Sequence, residues 1–381
     1  MRYDVAVVGL GGIGSAILAH CAARRANAIG LEQFVAGHEL GSSTGKSRMI
    51  RKAYFEDPSY VPLLLRAYDH WRELEKATGE KLLEITGLLM VGEERSAIIR
   101  GARSAACEHD LPLEILGRRE ITLRYPALKV LPNEIGLFEP DGGVLAPERA
   151  TAAHLQIAAR AGAEIRFDCA MAGWLPNDDG FEIALRDGTR IATRALILAV
   201  GPWFARALGE LGVPLRVQRN VQAWFAPSND HYAAGKFPPF LLERANLPAP
   251  LYGFPDFGEG VKAAFHSHGL TTAIDDLDRE IVRREDIDPI VTAMENWMPG
   301  AAANFRAAKV CPYSLTPDGH FVVDRHPAHP RLILCGGFSG HGFKFAPVIG
   351  EIAAGLALEG GSRHAIEFLS LRRFAKGGEA R

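Results

Sequence analysis

The stretch from Tyr3 to Glu32 restricts the fold more than any other part of the chain. Tyr3 to Val8 is a short apolar run that reads as a buried strand. Gly9-Leu10-Gly11-Gly12-Ile13-Gly14 follows, and then an alanine-rich segment to Arg24 that reads as a helix. A second strand, Ala28 to Leu31, ends on Glu32, 18 residues after Gly14. In a G-x-G-x-x-G turn, Gly9 permits the tight bend, Gly11 lets the backbone approach a pyrophosphate, and Gly14 lets helix and strand pack closely. The helix N-terminus offers N–H groups and the positive end of its dipole to the phosphates. Glu32 stands where a carboxylate accepts from ribose hydroxyls. Glycines alone are a weak signal, because glycine-rich turns serve many loops. Strand, glycines, helix, strand and acid in that order mark a dinucleotide site, without separating FAD from NAD.

At 381 residues the chain is longer than one hydrophobic core usually serves, so two domains are expected. Lys and Arg number 43 and Asp and Glu 45, giving a net charge of −2 with no basic block, which speaks against nucleic acid or a membrane surface as partner. Five scattered cysteines argue against a disulfide framework or a CxxC metal site and suit a reducing, cytoplasmic compartment. The glycine-broken run VAVVGLGGIG does not read as a signal peptide, and no apolar stretch reaches 18 residues.

Further along, helical spacing marks Pro62 to Thr78 (stopped by Gly79), Ser96 to His109, Arg119 to Tyr125, Pro147 to Ala161 and Pro347 to Leu358. Strands are expected within Leu82 to Val91, in a hairpin of Phe181 to Leu185 with Thr189 to Leu198, and in a second hairpin of Leu251 to Pro255 with Val261 to His268. Leu215 to Phe225 alternates like a strand of a half-exposed antiparallel sheet. Leu332 to Gly337 is a buried strand entering a glycine loop. The expected fold class is α/β with two domains: a discontinuous Rossmann domain (1–84, 142–209 and 309–381) and a catalytic domain with a mixed, largely antiparallel sheet (85–141 and 210–308). The active site belongs at their seam.

Four patches, VVGLGGIG with LEQF, GSSTGKSRMIRKAYFEDPSYVPL, LYGFPDFGEGVKAAFH, and VCPYSLTPDGHFVVDRHP with GGFSGHGFKF, resemble the monomeric sarcosine oxidase family, which includes N-methyltryptophan and pipecolate oxidases. The resemblance runs nearly the whole chain. It implies a glutathione-reductase-like FAD domain, a monomer, and oxidation of a secondary α-amino acid with O2 as acceptor and H2O2 as product. It also implies covalent FAD, since Cys311 falls on the cysteine that bonds to the flavin ring; a lone buried cysteine is otherwise a small hydrophobe. Pro312 holds Cys311 toward extended geometry.

By the same resemblance Arg51 and Lys344 anchor the substrate carboxylate, a fork and a point charge, and Arg48 lies against the flavin; its three-residue spacing from Arg51 fits a shared helix face. Lys262 holds a water and aids reaction with oxygen, and His266 positions the amine. If VKAAFHSH is a strand, Lys262, Ala264, His266 and His268 share one face, with Lys262 and His266 about 13 Å apart. Tyr252 and Tyr313 match tyrosines near the substrate, and Gly340-His341-Gly342 precedes a helix whose dipole favours negative charge on the cofactor. No metal site is expected. Met49, Trp224, Phe225 and Phe240 are candidates for the side-chain pocket. Phe55 to Pro58 departs from the glycine-containing loop of sarcosine oxidases and points away from sarcosine itself. The alternatives are an FAD dehydrogenase for opines or other amino acids that passes electrons to a carrier, a flavoprotein without turnover and, further off, an NAD-dependent dehydrogenase.

Overall fold

In the computed structural model, residues 2–205, 211 and 213–374 are described. An eight-stranded sheet is built on the parallel strands Glu164–Arg166, Ala28–Leu31, Arg2–Val8, Arg190–Leu198 and His329–Gly336, in that spatial order. Met171–Asn177, Gly180–Leu185 and Val322–His326 add antiparallel partners. The helices Gly12–Ala23, Pro147–Arg160, Ala346–Leu358 and Val61–Thr78 bury their apolar residues on one face of this sheet in a single core. Gly12–Ala23 packs most heavily on Ala346–Leu358 and Pro147–Arg160, and Gly350 allows the approach of the first: a Cβ there would stand 2.8 Å from the Ala16 backbone.

A nine-stranded sheet forms the second layer, with Arg216–Ala226 one strand in from its edge, between Val261–Phe265 and the edge strand Asn304–Leu315. The expected boundary between 308 and 309 falls inside Asn304–Leu315, which pairs along its length with Arg216–Ala226. The boundary between 209 and 210 lies outside the described residues.

Two local expectations need correction. Arg216–Ala226 is almost wholly buried, not half exposed. Its alternation is real, since Val221, Ala223 and Phe225 enter an apolar core with the helix Asp288–Trp297. The polar residues Gln218, Asn220 and Gln222 face the seam between the layers, where other protein covers them in place of water. The strand expected to reach His268 ends at Phe265, because Ser267 takes a left-handed conformation (φ 54°) and leaves His268 exposed. No helix among the described residues is long and apolar enough to cross a membrane.

Candidate active site

A cavity of about 1100 Å³ runs through the seam from Glu32 to Tyr313 and Lys344. At one end the backbone makes the walls. Gly9 has φ 88°, and a Cβ on Gly14 would stand 1.7 Å from the Gly9 carbonyl oxygen, so turn and helix interlock. Gly11 is different. A Cβ there would meet only Ser43 Oγ, at 3.8 Å, and the free space beside it is the cavity. Glu32 accepts from Leu10 N at 2.8 Å and Phe34 N at 3.2 Å. Burial alone would raise its pKa, but His38 and these N–H groups outweigh it and lower it, keeping a carboxylate at the cavity wall.

At the other end side chains make the walls. Arg48 lies on the strand Arg48–Ile50, paired with Gly143–Leu145, so it shares no helix face with Arg51. Its Nη2 donates to Ser42 O (2.8 Å) and to Cys311 Sγ (3.5 Å). Cys311 is 2 % exposed, lines the cavity and sits in Asn304–Leu315, a strand paired on one side only. A proline is tolerated on such an edge, and the Pro312 carbonyl accepts from Ser42 Oγ at 2.6 Å.

Arg51 is 3 % exposed and lines the cavity. Its Nη2 donates to both oxygens of Glu56, each at 2.7 Å, while Nη1 is buried without a partner. Burial opposes ionisation of Glu56, but Arg51 and then His341 and Lys344 hold its pKa down to about 2. Lys344 donates to the His341 carbonyl at 2.7 Å. Burial first and Arg51 second push its ammonium down to about 7, with Glu56 opposing. Tyr252, Tyr313, Gly340, His341 and Gly342 line the same end. Gly340 admits the Tyr313 ring, since a Cβ there would be 2.2 Å from it. The hydroxyls of Tyr252 and Tyr313 are 3.5 Å apart, and burial raises both phenols, so both are neutral hydrogen-bonding groups.

His266 lies just past its strand, with its N–H on Pro250 O and its ring against Tyr252 and Tyr313 at the cavity wall. Burial pushes its pKa down to about 4, so the ring is neutral at pH 7. Lys262 is 1 % exposed and is not one of the cavity-lining residues. Its Nζ donates to Gly45 O (2.7 Å), Ser47 O (3.0 Å) and Ser47 Oγ (3.3 Å). Burial, and then Arg48, push its pKa well down.

Of the pocket candidates, Met49 lines the cavity. Trp224 covers Lys262, and Phe225 and Phe240 belong to the apolar core instead. Sequence reasoning missed Tyr54, Phe55 and Glu56 as a group. Only the departure at Phe55 to Pro58 hinted at them. Thr44 Oγ1 and Ser314 Oγ were missed as well; both residues line the cavity, and both atoms are buried without partners. A cradle at Gly11, an anchored carboxylate at Glu32 and orphaned polar atoms along one continuous cavity fit an extended dinucleotide with a polar ring system.

Residues 4–356 match the family described as FAD dependent oxidoreductase. The chain is 41% identical to a monomeric sarcosine oxidase of Streptomyces avermitilis, over 98% of each protein. It is 32% identical to an N-methyl-L-tryptophan oxidase of Yersinia pestis, over 98% of this chain and 100% of that one. Among solved structures, NikD, described as an unusual amino acid oxidase essential for nikkomycin biosynthesis, superposes with a TM-score of 0.86 at 23% identity, over 97% of each chain, a likeness of fold.

Proposed function

The chain belongs to the family of FAD dependent oxidoreductases, in the branch of the sarcosine and N-methyltryptophan oxidases, and from that premise we propose that it oxidises the C–N bond of a secondary α-amino acid to an imine, with O2 as acceptor and H2O2 as product. One observation carries the reading of the substrate end: Arg51, whose buried Nη1 has no partner, lines the same cavity as Lys344. A buried cationic donor without a partner is costly, and a carboxylate is the ligand that relieves it.

Bound FAD supplies the two-electron acceptor. The residues supply the rest. Arg51 Nη1 and Lys344 Nζ take the substrate carboxylate. With a pKa near 7, Lys344 takes up a proton at Nζ as that carboxylate arrives. His266, neutral at pH 7, accepts from the substrate's amino group and directs it toward the cofactor. The Tyr252 and Tyr313 hydroxyls close the polar side, while Met49, Phe55 and Leu241 exclude water from the apolar side. In the proposed two-lobed division the glycine turn, Arg51 and Lys344 belong to one lobe, and Leu241, Tyr252 and His266 close the cavity from the other. Cys311 is the proposed point of covalent attachment, with Arg48 beside its sulfur.

Lys262 is the proposed charge that favours oxygen reduction, acting through space. Its absence from the cavity wall also favours a second reading, a dehydrogenase that hands electrons to a carrier. Anaerobic mixing with N-methyl and cyclic α-amino acids tests the main reading: bleaching of the flavin band by at least one is expected, and no bleaching by any would sink it. One H2O2 per turnover in air separates oxidase from dehydrogenase. Yellow colour that stays with acid-precipitated protein, and moves to the supernatant in Cys311→Ser, tests the covalent bond.

A further inference from the structure

Arg51 and Lys344 reach the cavity from distant segments and carry like charges in a buried place, where they repel. The group that touches both is Tyr54, which is fully buried and does not itself line the cavity. Its ring centroid is 4.3 Å from Arg51 Cζ and 5.2 Å from Lys344 Nζ. An aromatic face attracts cations, most strongly where water is excluded. Tyr60 and Phe345 pack on the same ring at centroid distances of 5.2 and 5.3 Å and keep it from turning.

The hydroxyl has a second task. It is hydrogen-bonded to His341 Nδ1, and the direction follows from the far side of the imidazole. His341 Nε2 is 3.1 Å from the Gly319 carbonyl, which can only accept, so Nε2 carries the hydrogen of the neutral ring. Nδ1 therefore accepts from the Tyr54 hydroxyl. The carbonyl of the same His341 accepts from Lys344 Nζ.

We propose that Tyr54 is the positioning residue of the carboxylate clamp: its face keeps Arg51 and Lys344 charged and adjacent, and its hydroxyl locks the His341 turn that presents Lys344. The proposal rests on the reading that these two cations take the substrate carboxylate. A Tyr54 that merely filled the core would be replaceable by any ring of its size, whereas a ring that works through its face loses function as that face loses negative potential.

The experiment uses the flavin-loaded enzyme and propionate as a non-reacting carboxylate, followed by the change in flavin absorbance. Tyr54→Phe keeps the face and loses the hydroxyl. Mono-, di- and trifluorophenylalanine at position 54 then weaken the face with little change of size. Propionate binding is expected to weaken stepwise along the series, to about tenfold at the trifluoro ring. KM for a turned-over N-methyl amino acid should rise in parallel at unchanged kcat, and the alkaline loss of binding should move to lower pH. A flat response to fluorination overturns the proposal, as does a fall in kcat at unchanged affinity. Arg51→Gln and Lys344→Met serve as references. If neither weakens propionate binding, the clamp reading falls; if both do while the fluorine series stays flat, only the role of Tyr54 falls.

Discussion

The two ends of the cavity are built on opposite principles. At the Gly9–Glu32 end the backbone does the shaping, and the one carboxylate, Glu32, is held by two N–H groups. At the Arg51–Lys344 end, buried charges from separate segments meet, and one donor, Arg51 Nη1, is left unpaired. A backbone site depends on spacing within thirty residues. A side-chain site depends on the whole fold and keeps part of its electrostatic energy unsatisfied until a ligand arrives.

The sharpest test of that contrast lies among the glycines. A Cβ on Gly14 would collide with the Gly9 carbonyl, a backbone atom that cannot step aside. Gly14→Ala should therefore cost more than the roughly 1–3 kcal/mol usual for overpacking and leave little folded protein. Gly11 has φ −66° and ψ −166°, open to alanine, and a Cβ there would come no closer than 3.8 Å to any atom beyond its chain neighbours. Gly11→Ala should melt like the unaltered apoprotein yet lose FAD affinity at least tenfold. Thermal melts with and without added FAD check both, and equal damage in the two variants would deny that Gly11 is kept for a ligand.

Next in size comes Arg51→Gln. It removes one partner of a buried charge pair, a change that costs about 2–5 kcal/mol, and it leaves Glu56 without its main counter-charge. Propionate affinity should fall by about two orders of magnitude while FAD content stays the same. A matching loss of FAD would mean that the two ends are one site energetically, and the contrast would fail.

The same contrast explains what was legible beforehand. Ala28–Leu31 was placed to the residue and Val61–Thr78 to within one, because period and stop signals are local. The glycine turn was legible for the same reason. Spacing alone puts Arg48 and Arg51 on one helix face, but pairing of Arg48–Ile50 with Gly143–Leu145, nearly a hundred residues on, decides that geometry. The pattern carries the strand to His268 because nothing in VKAAFHSH announces the left-handed Ser267. The polar face of Arg216–Ala226 reads as solvated because one strand cannot reveal what covers it. Glu56 was seen only as a departure, since its partner is chosen by the fold of its own loop.

A smaller effect follows from Lys344, whose pKa lies near 7 because of burial and then Arg51. A carboxylate binds the protonated ammonium, so affinity should be constant below that pH and fall above it, by up to about tenfold per unit. Proton uptake on binding at pH 8, read in two buffers of different ionisation enthalpy, checks the sign. Lys344→Met should bind weakly at every pH and take up no proton, whereas FAD affinity should not change over this range.

The smallest effect should come from Glu56, because it acts in two directions. It occupies Arg51 Nη2 with both oxygens, so in the proposed clamp it competes with a substrate carboxylate for the guanidinium. It also raises the proton affinity of Lys344 against burial and Arg51, so it supports the second anchor. Glu56→Gln keeps the shape and removes the charge. At pH 6, where Lys344 stays protonated, loss of the competitor should prevail and strengthen propionate binding about threefold. Above pH 7 the lost support should prevail, since Lys344 gives up its proton earlier, and the variant's binding curve should cross below that of the parent. Titrations from pH 6 to 8.5 locate the crossing. Tighter binding at every pH would make Glu56 a competitor alone, and weaker binding at every pH would make it a support alone; either result would contradict a substrate end held in balance by opposed charges.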